Sequence, residues 1–241
     1  MLKTGKSEAE AGVQPRRRKP TRRAEILAAA REVFLRNGYE ASLVSEIAAG
    51  AGCVEGTLYT YFTNKRALFD AVLTEFYDQL IAEIAPRFDA IDGTRDRLTF
   101  LIARHLQIAL EDPAQGRLIS GEVHSRAGYY GSTLHALNRH YSRFLMQTLH
   151  DGVKRGELRP GLDLSLARDL IFGGVEHWVW NTLERGQTFE PAAVARAIVA
   201  MVLDGWSTGT GEQTQVVELG RRVERLERRL AQAAAHKGSE P

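Results

Sequence analysis

Between Ala51 and Lys65 the chain reads A-G-C-V-E-G-T-L-Y-T-Y-F-T-N-K. Leu58 and Phe62 are four residues apart and would anchor a short helix to a core, which turns Thr57, Tyr59 and Thr60 to the opposite side. Those three carry hydrogen-bonding groups and no charge, and Gly56 keeps the start of the helix slim enough for close approach to a surface. A helix of this kind suits the major groove of a duplex, where hydroxyl and methyl groups meet base edges and phosphates. Lys65, at the beginning of the next element, can reach a backbone phosphate. Ser42 is expected to cap a preceding helix and to offer a phosphate a hydrogen bond at its N-terminus, where the macrodipole also favours an anion.

Other chemistries find less support. His105, His124, His135, His140, His150 and His177 are scattered, with no i, i+4 pair beside a glutamate as in a zinc-hydrolase helix. His105 lies on an apolar face and reads as a core histidine. Ser120-Gly121 lacks the flanking glycine of a nucleophile elbow. Gly209-Thr210-Gly211 is too short and badly placed for a dinucleotide loop, and no phosphate-binding G-x-x-x-x-G-K-[ST] occurs. Cys53 is the single cysteine, so neither an internal disulfide nor a cysteine-rich zinc site can form. The expectation is a protein without catalytic activity, metal or cofactor.

The elements that must position Thr57 and Tyr59 are helical. Ile26, Leu27, Ala30, Val33 and Phe34 form one apolar stripe between Arg22 and Asn37, and Asn37-Gly38 supplies a stop. Val44, Ile47, Ala48 and Ala51 follow in a second short helix that Gly52 breaks, and the third runs from about Glu55 to Tyr61. Three short helices with a tight turn between the last two make a helix-turn-helix. Beyond them the elements lengthen. Leu68, Val72, Phe76, Leu80 and Ile84 mark a helix that Pro86 should end. Further helices are expected over about Thr94–Glu111 and from Pro113 through Arg126. After a loop at Gly128–Gly131, another carries Leu134, Tyr141, Phe144 and Leu149. The last two run over about Leu164–Arg185, with Asp163 as cap, and from Pro191 to Gly205. No segment has a two-residue period, so the fold class is all-α. Val216, Leu219, Val223, Leu226, Leu230 and Ala233 then step by three and four, the a/d pattern of a short coiled coil that would pack on its twin or on the body.

With 241 residues, 44% of them hydrophobic and 26% charged, the chain is an ordinary globular composition rather than a disordered one. No apolar run is long enough to span a membrane, and the polar first residues lack the apolar stretch of a secretory signal, so the expected location is cytoplasmic. The formal charge of +2 is unevenly spread. Residues 1–23 hold eight Lys or Arg against two Glu, whereas the stretch 24–70 holds four against six acids. A basic arm on an acidic body points to a polyanion met by the N-terminus, with affinity leaning on Arg16–Lys19, Arg22 and Arg23 and falling steeply with salt.

The run ILAAAREVFLRNGYEASLVSEIAAGAG followed by GTLYTYFTNKRALF resembles the N-terminal signature of the TetR family of bacterial transcriptional regulators. The resemblance covers roughly residues 22–70. It implies a homodimer whose two heads read a palindromic DNA operator: residues 1–21 a disordered basic arm, 22–70 the DNA-binding domain, 71–207 a ligand-binding and dimerising bundle, and 208–241 a linker and heptad helix. Thr57 and Tyr59 become the recognition contacts, with Gly56 and Thr60 beside them, Lys65 the phosphate contact, and Ser42 and Ser45 neighbours of the backbone or groove. Val54 stands where members often have a small polar cap. Glu55 stands where a basic or neutral polar residue is common, and it either accepts from a cytosine amino group or faces outward.

Residues Gly152–Asp163 and Leu166–Gly174 look like the corresponding part of acyl-CoA-responsive members that control fatty-acid degradation. That resemblance implies release from DNA by a small hydrophobic effector, a fatty acyl-CoA. An acyl chain needs an apolar tunnel, for which Leu101, Ile102, Phe144, Phe172 and Trp178 are candidates with His105 nearby. The CoA phosphates need cations, for which Arg126, Arg139 and Arg143 are candidates. Gly173 and Gly174 inside a helix suggest close backbone approach. With Ile198, Met201 and Val202 on the last helix, they mark the dimer face that the family resemblance implies. Two alternatives stay open: sensing of another hydrophobic compound such as a drug or aromatic, or an interaction protein that assembles through its heptads around a vestigial head.

Overall fold

The computed structural model describes residues 19–124 and 129–206, together with residues 219, 220, 222–225 and 228. The basic arm before Lys19, Arg126 and most of the heptad segment lie outside them. Among the described residues there are nine helices and no strand, and none is long and apolar enough to cross a membrane. The chain divides into two compact units between Glu75 and Phe76.

The first unit contains α1 (Lys19–Ala41), α2 (Val44–Gly50), α3 (Glu55–Tyr59) and the opening turns of α4 (Lys65–Asp89). Ile26, Ala30, Val33 and Phe34 are buried, so the apolar stripe of α1 is its core face. Phe34 meets Phe69 edge to face at 5.0 Å, and Tyr39 lies 4.8 Å from the same ring. The helix breaks where Asn37-Gly38 foretold: Gly38 has φ +75° and ψ 171°, a conformation that glycine reaches without a Cβ penalty. Ser42 departs from expectation. The residue flanking α2 is Leu43, which makes no side-chain cap. Ser42 is buried, and its hydroxyl donates to the Val33 and Gly38 carbonyls. The hydroxyl therefore faces back onto the end of α1 across the break at Gly38, and not forward to the N–H groups of α2.

The second unit is built on α5 (Thr94–Glu111), which packs against α6 (Pro113–His124), α7 (Thr133–Lys154), α8 (Leu164–Glu184) and α9 (Pro191–Trp206). Pro86 does not end α4, which runs on to Asp89. One missing N–H near the last turn is a modest loss, and continuing the helix delivers Phe88 into the core. Phe88 is fully buried, 5.1 Å from the Phe144 ring and with the Arg97 guanidinium 4.6 Å above it; burial of such a ring contributes about 2–3 kcal/mol. Arg104 of α5 ties α4 to α5. Its Nε and Nη2 donate to the two Glu83 oxygens at 3.0 and 2.8 Å, and Nη1 donates to Glu111 at 2.8 Å. Asp163 caps α8 as expected, accepting from the Ser165 and Leu166 N–H groups at 3.0 Å. The Glu190 carboxylate does the same for α9 from the position before Pro191.

The turn between α7 and α8 also completes α5. Gly93, before α5, has no side chain with which to cap it, and Glu157 Oε2 accepts from the Thr94 N–H at 3.1 Å. Arg155 holds Glu157 at 2.9 Å and donates to the Thr94 hydroxyl at 3.1 Å. Burial opposes ionisation of Glu157, but hydrogen bonds from Arg155 and Thr94 overcome it and keep the carboxyl below its ordinary value of 4.5. A carboxylate with a lowered folded pKa contributes stability above the unfolded value that is lost as pH falls through the folded one. Glu157→Gln should therefore lower stability by about 1 kcal/mol at neutral pH. The deficit should shrink once the pH falls below 4.5. Urea melts at pH 7 and pH 4 check this, and equal deficits at both would refute the ionic part of the cap.

The outer faces of α8 and α9 are less polar than a solvated surface. Leu166, Leu170, Gly174 and Trp178 are exposed at spacing four along α8, and Ala193, Ala197, Met201 and Gly205 do the same on α9. Leu170 is 59% exposed and Met201 69%. The close approach expected at Gly173 and Gly174 is not made within the chain: a Cβ at either would meet nothing within 4 Å. Ile198 and Val202 are half-buried. Leu219 and Val223, two of the heptad positions, are exposed in the helical residues described there.

Candidate nucleic-acid interface and ligand cavity

In the first unit, Leu58 is fully buried and Phe62 nearly so, which fixes α3 to the core by one side. The other side carries Glu55, Gly56 and Tyr59, all exposed, with Thr57 half-buried between them. Tyr59 is 47% exposed. The Thr60 hydroxyl donates to the Thr57 carbonyl at 2.6 Å, so part of its capacity is used at the helix end. Ser45 is exposed on α2. The apolar side chains of Leu43 and Val54, at the two helix starts, are 57% and 72% exposed.

Three cations assigned to phosphate chemistry have further duties. Arg22 donates to the Ala51 carbonyl at 2.8 Å and pairs with Glu25 at 3.0 Å, so it clamps the end of α2 to α1. The Arg23 guanidinium lies 5.3 Å from the Phe62 ring centre and is exposed. Lys65 donates to the Glu40 carbonyl at 2.9 Å with its ammonium 4.7 Å above the Tyr39 ring. One ammonium hydrogen is spent there, and among the described residues the others have no hydrogen-bond partner. Cys53 is half-buried at the turn before α3.

In the second unit, α4, α5, α6, α7 and α8 surround a cavity of about 550 Å³. Its wall is aromatic, with Phe76, Tyr77, Tyr129, Tyr141, Phe172 and Trp180 among the lining residues. A hydrogen-bonded chain crosses it: the Tyr77 hydroxyl donates to Asn138 Oδ1, and Asn138 Nδ2 donates to the Tyr129 hydroxyl at 2.8 Å. His105 stacks between Tyr141 and Phe172, at 6.1 and 5.3 Å between ring centres. Burial holds the His105 imidazole below its ordinary value, with the Glu176 carboxylate opposing. Burial likewise pushes the Tyr77 and Tyr141 phenols far up, so both remain protonated donors. Gly116 makes room for Trp180, since a Cβ there would stand 2.7 Å from the indole.

Of the residues expected around a ligand, His105, Arg139 and Phe172 line this cavity. Leu101, Ile102 and Phe144 are buried in the packed core instead. Arg143 is exposed, its guanidinium over Phe144 at 5.0 Å, and Trp178 packs on Phe189 at 5.0 Å away from the lining. Arg139 makes no side-chain hydrogen bond or ion pair among the described residues, whereas Arg168 is held by Asp169 at 2.8 Å. Among the described residues no cluster of three or more His, Cys, Asp or Glu is placed to hold a metal ion.

Two family models match the chain. One, of the bacterial regulatory proteins of the tetR family, covers residues 26–72, and a second, a tetracyclin repressor-like C-terminal domain, covers residues 92–206. The chain belongs to the TetR family. It is a helix-turn-helix transcriptional regulator with a helical C-terminal domain. Its relatives carry regulator and repressor names. The fatty acid metabolism regulator protein of Bacillus subtilis is 27% identical over 181 residues, which is 75% of this chain and 93% of that protein. The transcriptional repressor KstR2 of Mycobacterium tuberculosis is 27% identical over 189 residues, 77% of this chain and 92% of its own. Among solved structures, FadR from Bacillus subtilis in complex with stearoyl-CoA matches with a TM-score of 0.68 at 27% identity, covering 76% of this chain and 98% of that one.

For a TetR regulator the N-terminal residues are the legible part and the cavity is not. Asn138, Glu176 and Trp180 went unread because each is half-buried beside the buried stripe of its helix, and Tyr77 because it lies within that stripe. A polar or aromatic residue at that position looks the same in sequence whether it faces solvent or a cavity.

Proposed function

We propose that this regulator is a cytoplasmic homodimeric repressor that binds a palindromic operator and releases it on binding a fatty acyl-CoA. The observation that carries the reading is the cavity of about 550 Å³ whose lining includes Arg139, a guanidinium with no partner among the described residues. It lies in a fold similar to that of a protein holding stearoyl-CoA. The aromatic and aliphatic wall suits an acyl group, and Arg139 suits a phosphate of the CoA. In the head, Thr57 and Tyr59 read bases from α3 with Glu55, Gly56 and Thr60 at the same surface. Ser45, Arg23 and Lys65 hold the backbone. Arg22 acts through its clamp on α2, and Ser42 supports the turn from inside. Dimerisation uses the exposed apolar faces of α8 and α9, with Gly174 and Met201 on them and Ile198 and Val202 at their edge.

Effector binding acts on DNA affinity only through a preference for the form that cannot hold DNA. A hundredfold drop in occupancy requires a preference of about 3 kcal/mol or more. The test is a gel shift on the DNA upstream of the protein's own gene, with acyl-CoAs of increasing length. Specific binding that one length class reverses, and that free CoA does not, is the expected result. Specific binding indifferent to every acyl-CoA would remove the effector from this reading and leave the regulator.

A further inference from the structure

The cavity contains a charge that the fold does not use. Glu176 of α8 lines it, and among the described residues its carboxylate makes neither a hydrogen bond nor an ion pair. The other acid in the lining, Asp169, is occupied by Arg168. Glu176 lies near enough to His105 and Tyr77 for its charge to act on both. His105 is itself half-engaged. Its Nδ1 stands 3.4 Å from the Tyr141 hydroxyl, and among the described residues Nε2 has no partner. The Tyr77 hydroxyl is already spent on Asn138. The cavity therefore presents one strong acceptor and one neutral imidazole in the same lining, walled by Tyr141 and Phe172.

A plain methylene chain filling this space would strip water from the carboxylate and return nothing, and an unpartnered buried charge is among the costliest groups in a protein interior. A hydroxyl satisfies both groups at once. With Tyr141 donating to Nδ1, the neutral imidazole carries its proton on Nε2. That N–H donates to the hydroxyl oxygen, and the hydroxyl hydrogen goes to the carboxylate in a charge-assisted bond. An amine would satisfy Glu176 but leave the imidazole N–H facing a second donor. Resting on the acyl-CoA reading, we infer that the effector's acyl group carries a hydroxyl on its buried part, received by Glu176 and His105.

Calorimetry on the full-length protein tests this with two matched pairs, palmitoyl-CoA against 16-hydroxypalmitoyl-CoA and cinnamoyl-CoA against 4-hydroxycinnamoyl-CoA, and with the corresponding free acids. The expected result is that the hydroxylated member of at least one pair binds about tenfold tighter or more, as sites built for a hydroxyl discriminate strongly against its absence. Glu176→Leu should erase that preference and His105→Phe should reduce it, with thermal melts confirming that both variants fold. A preference that appears among free acids to which CoA adds nothing would end the acyl-CoA reading and keep the assignment of Glu176. No hydroxyl preference in any pair, a preference that survives Glu176→Leu, or no binding by any member would overturn the inference.

Discussion

Replacing Gly152 by alanine should destabilise the C-terminal unit by about 1–3 kcal/mol, the usual cost of forcing extra volume into a packed core. The added Cβ would stand 2.6 Å from Thr94 Oγ1 and 2.9 and 3.0 Å from two Leu158 side-chain carbons. Neither neighbour can yield cheaply. Thr94 and Leu158 are 2% and 0% exposed, and Thr94 is held by Glu157 and Arg155 at the start of α5. The Gly152 carbonyl also accepts from the Glu157 and Leu158 N–H groups at 2.9 and 3.1 Å, so movement of the helix would loosen the turn that caps α5. In a chain of this size the melting temperature should fall by about 2–4 °C for each kcal/mol. Gly121→Ala makes the control: it lies in α6, and its Cβ would meet nothing. Helix propensity alone predicts a gain there of up to about 1 kcal/mol. Equal melting temperatures for the two variants would show that the contacts around Gly152 are not tight.

This glycine also explains part of what the sequence disclosed. The run Gly152–Asp163 carried a family resemblance, and the structure supplies a physical reason for several of its residues. Gly152 admits Leu158, Glu157 caps α5, Arg155 holds Glu157, and Asp163 caps α8. Caps and turns are local chemistry, and a linear sequence displays them. Helices α1, α5, α7, α8 and α9 were legible for the same reason, since the period of apolar residues marks the buried face wherever it packs. What periodicity cannot do is separate a core residue from a cavity residue. Leu101, Ile102 and Phe144 were expected to touch a ligand, and all three sit in solid core. Trp178 was expected at the cavity, but Trp180, about half a turn further along α8, lines it instead. Two residues apart, the indoles point to nearly opposite sides of α8, about 200° around its axis, and which side faces the space is decided by packing against residues distant in sequence, Gly116 of α6 among them. Ser42 misled in the opposite direction, because its hydroxyl answers the Val33 and Gly38 carbonyls of α1 rather than the N–H groups of α2.

Met201→Glu should convert the protein to monomers and reduce operator affinity at least a hundredfold while leaving the monomer fold intact. Met201 is 69% exposed and Leu170 59%, so within one chain neither contributes much burial, and a surface substitution of this kind usually changes monomer stability by no more than about 0.5 kcal/mol. Exposed apolar side chains repeated at spacing four, as on α8 and α9, are more than the scattered apolar residues of an ordinary surface and mark an association surface. The small residues interleaved with it, Gly174 on α8 and Ala193, Ala197 and Gly205 on α9, let two backbones approach closely. Pairing by a two-fold axis brings the same patch of both copies together. A glutamate at Met201 would then be buried at the interface without a partner charge, and near the axis it would face its own copy. DNA affinity falls with it because a dimer binding two half-sites gains the second contact at high effective concentration, which a monomer forfeits. Analytical ultracentrifugation and a gel shift on the same preparation separate the links in this chain of cause. Monomers that still bind operator with normal affinity would detach DNA binding from dimerisation, and an intact dimer would move the interface away from α8 and α9.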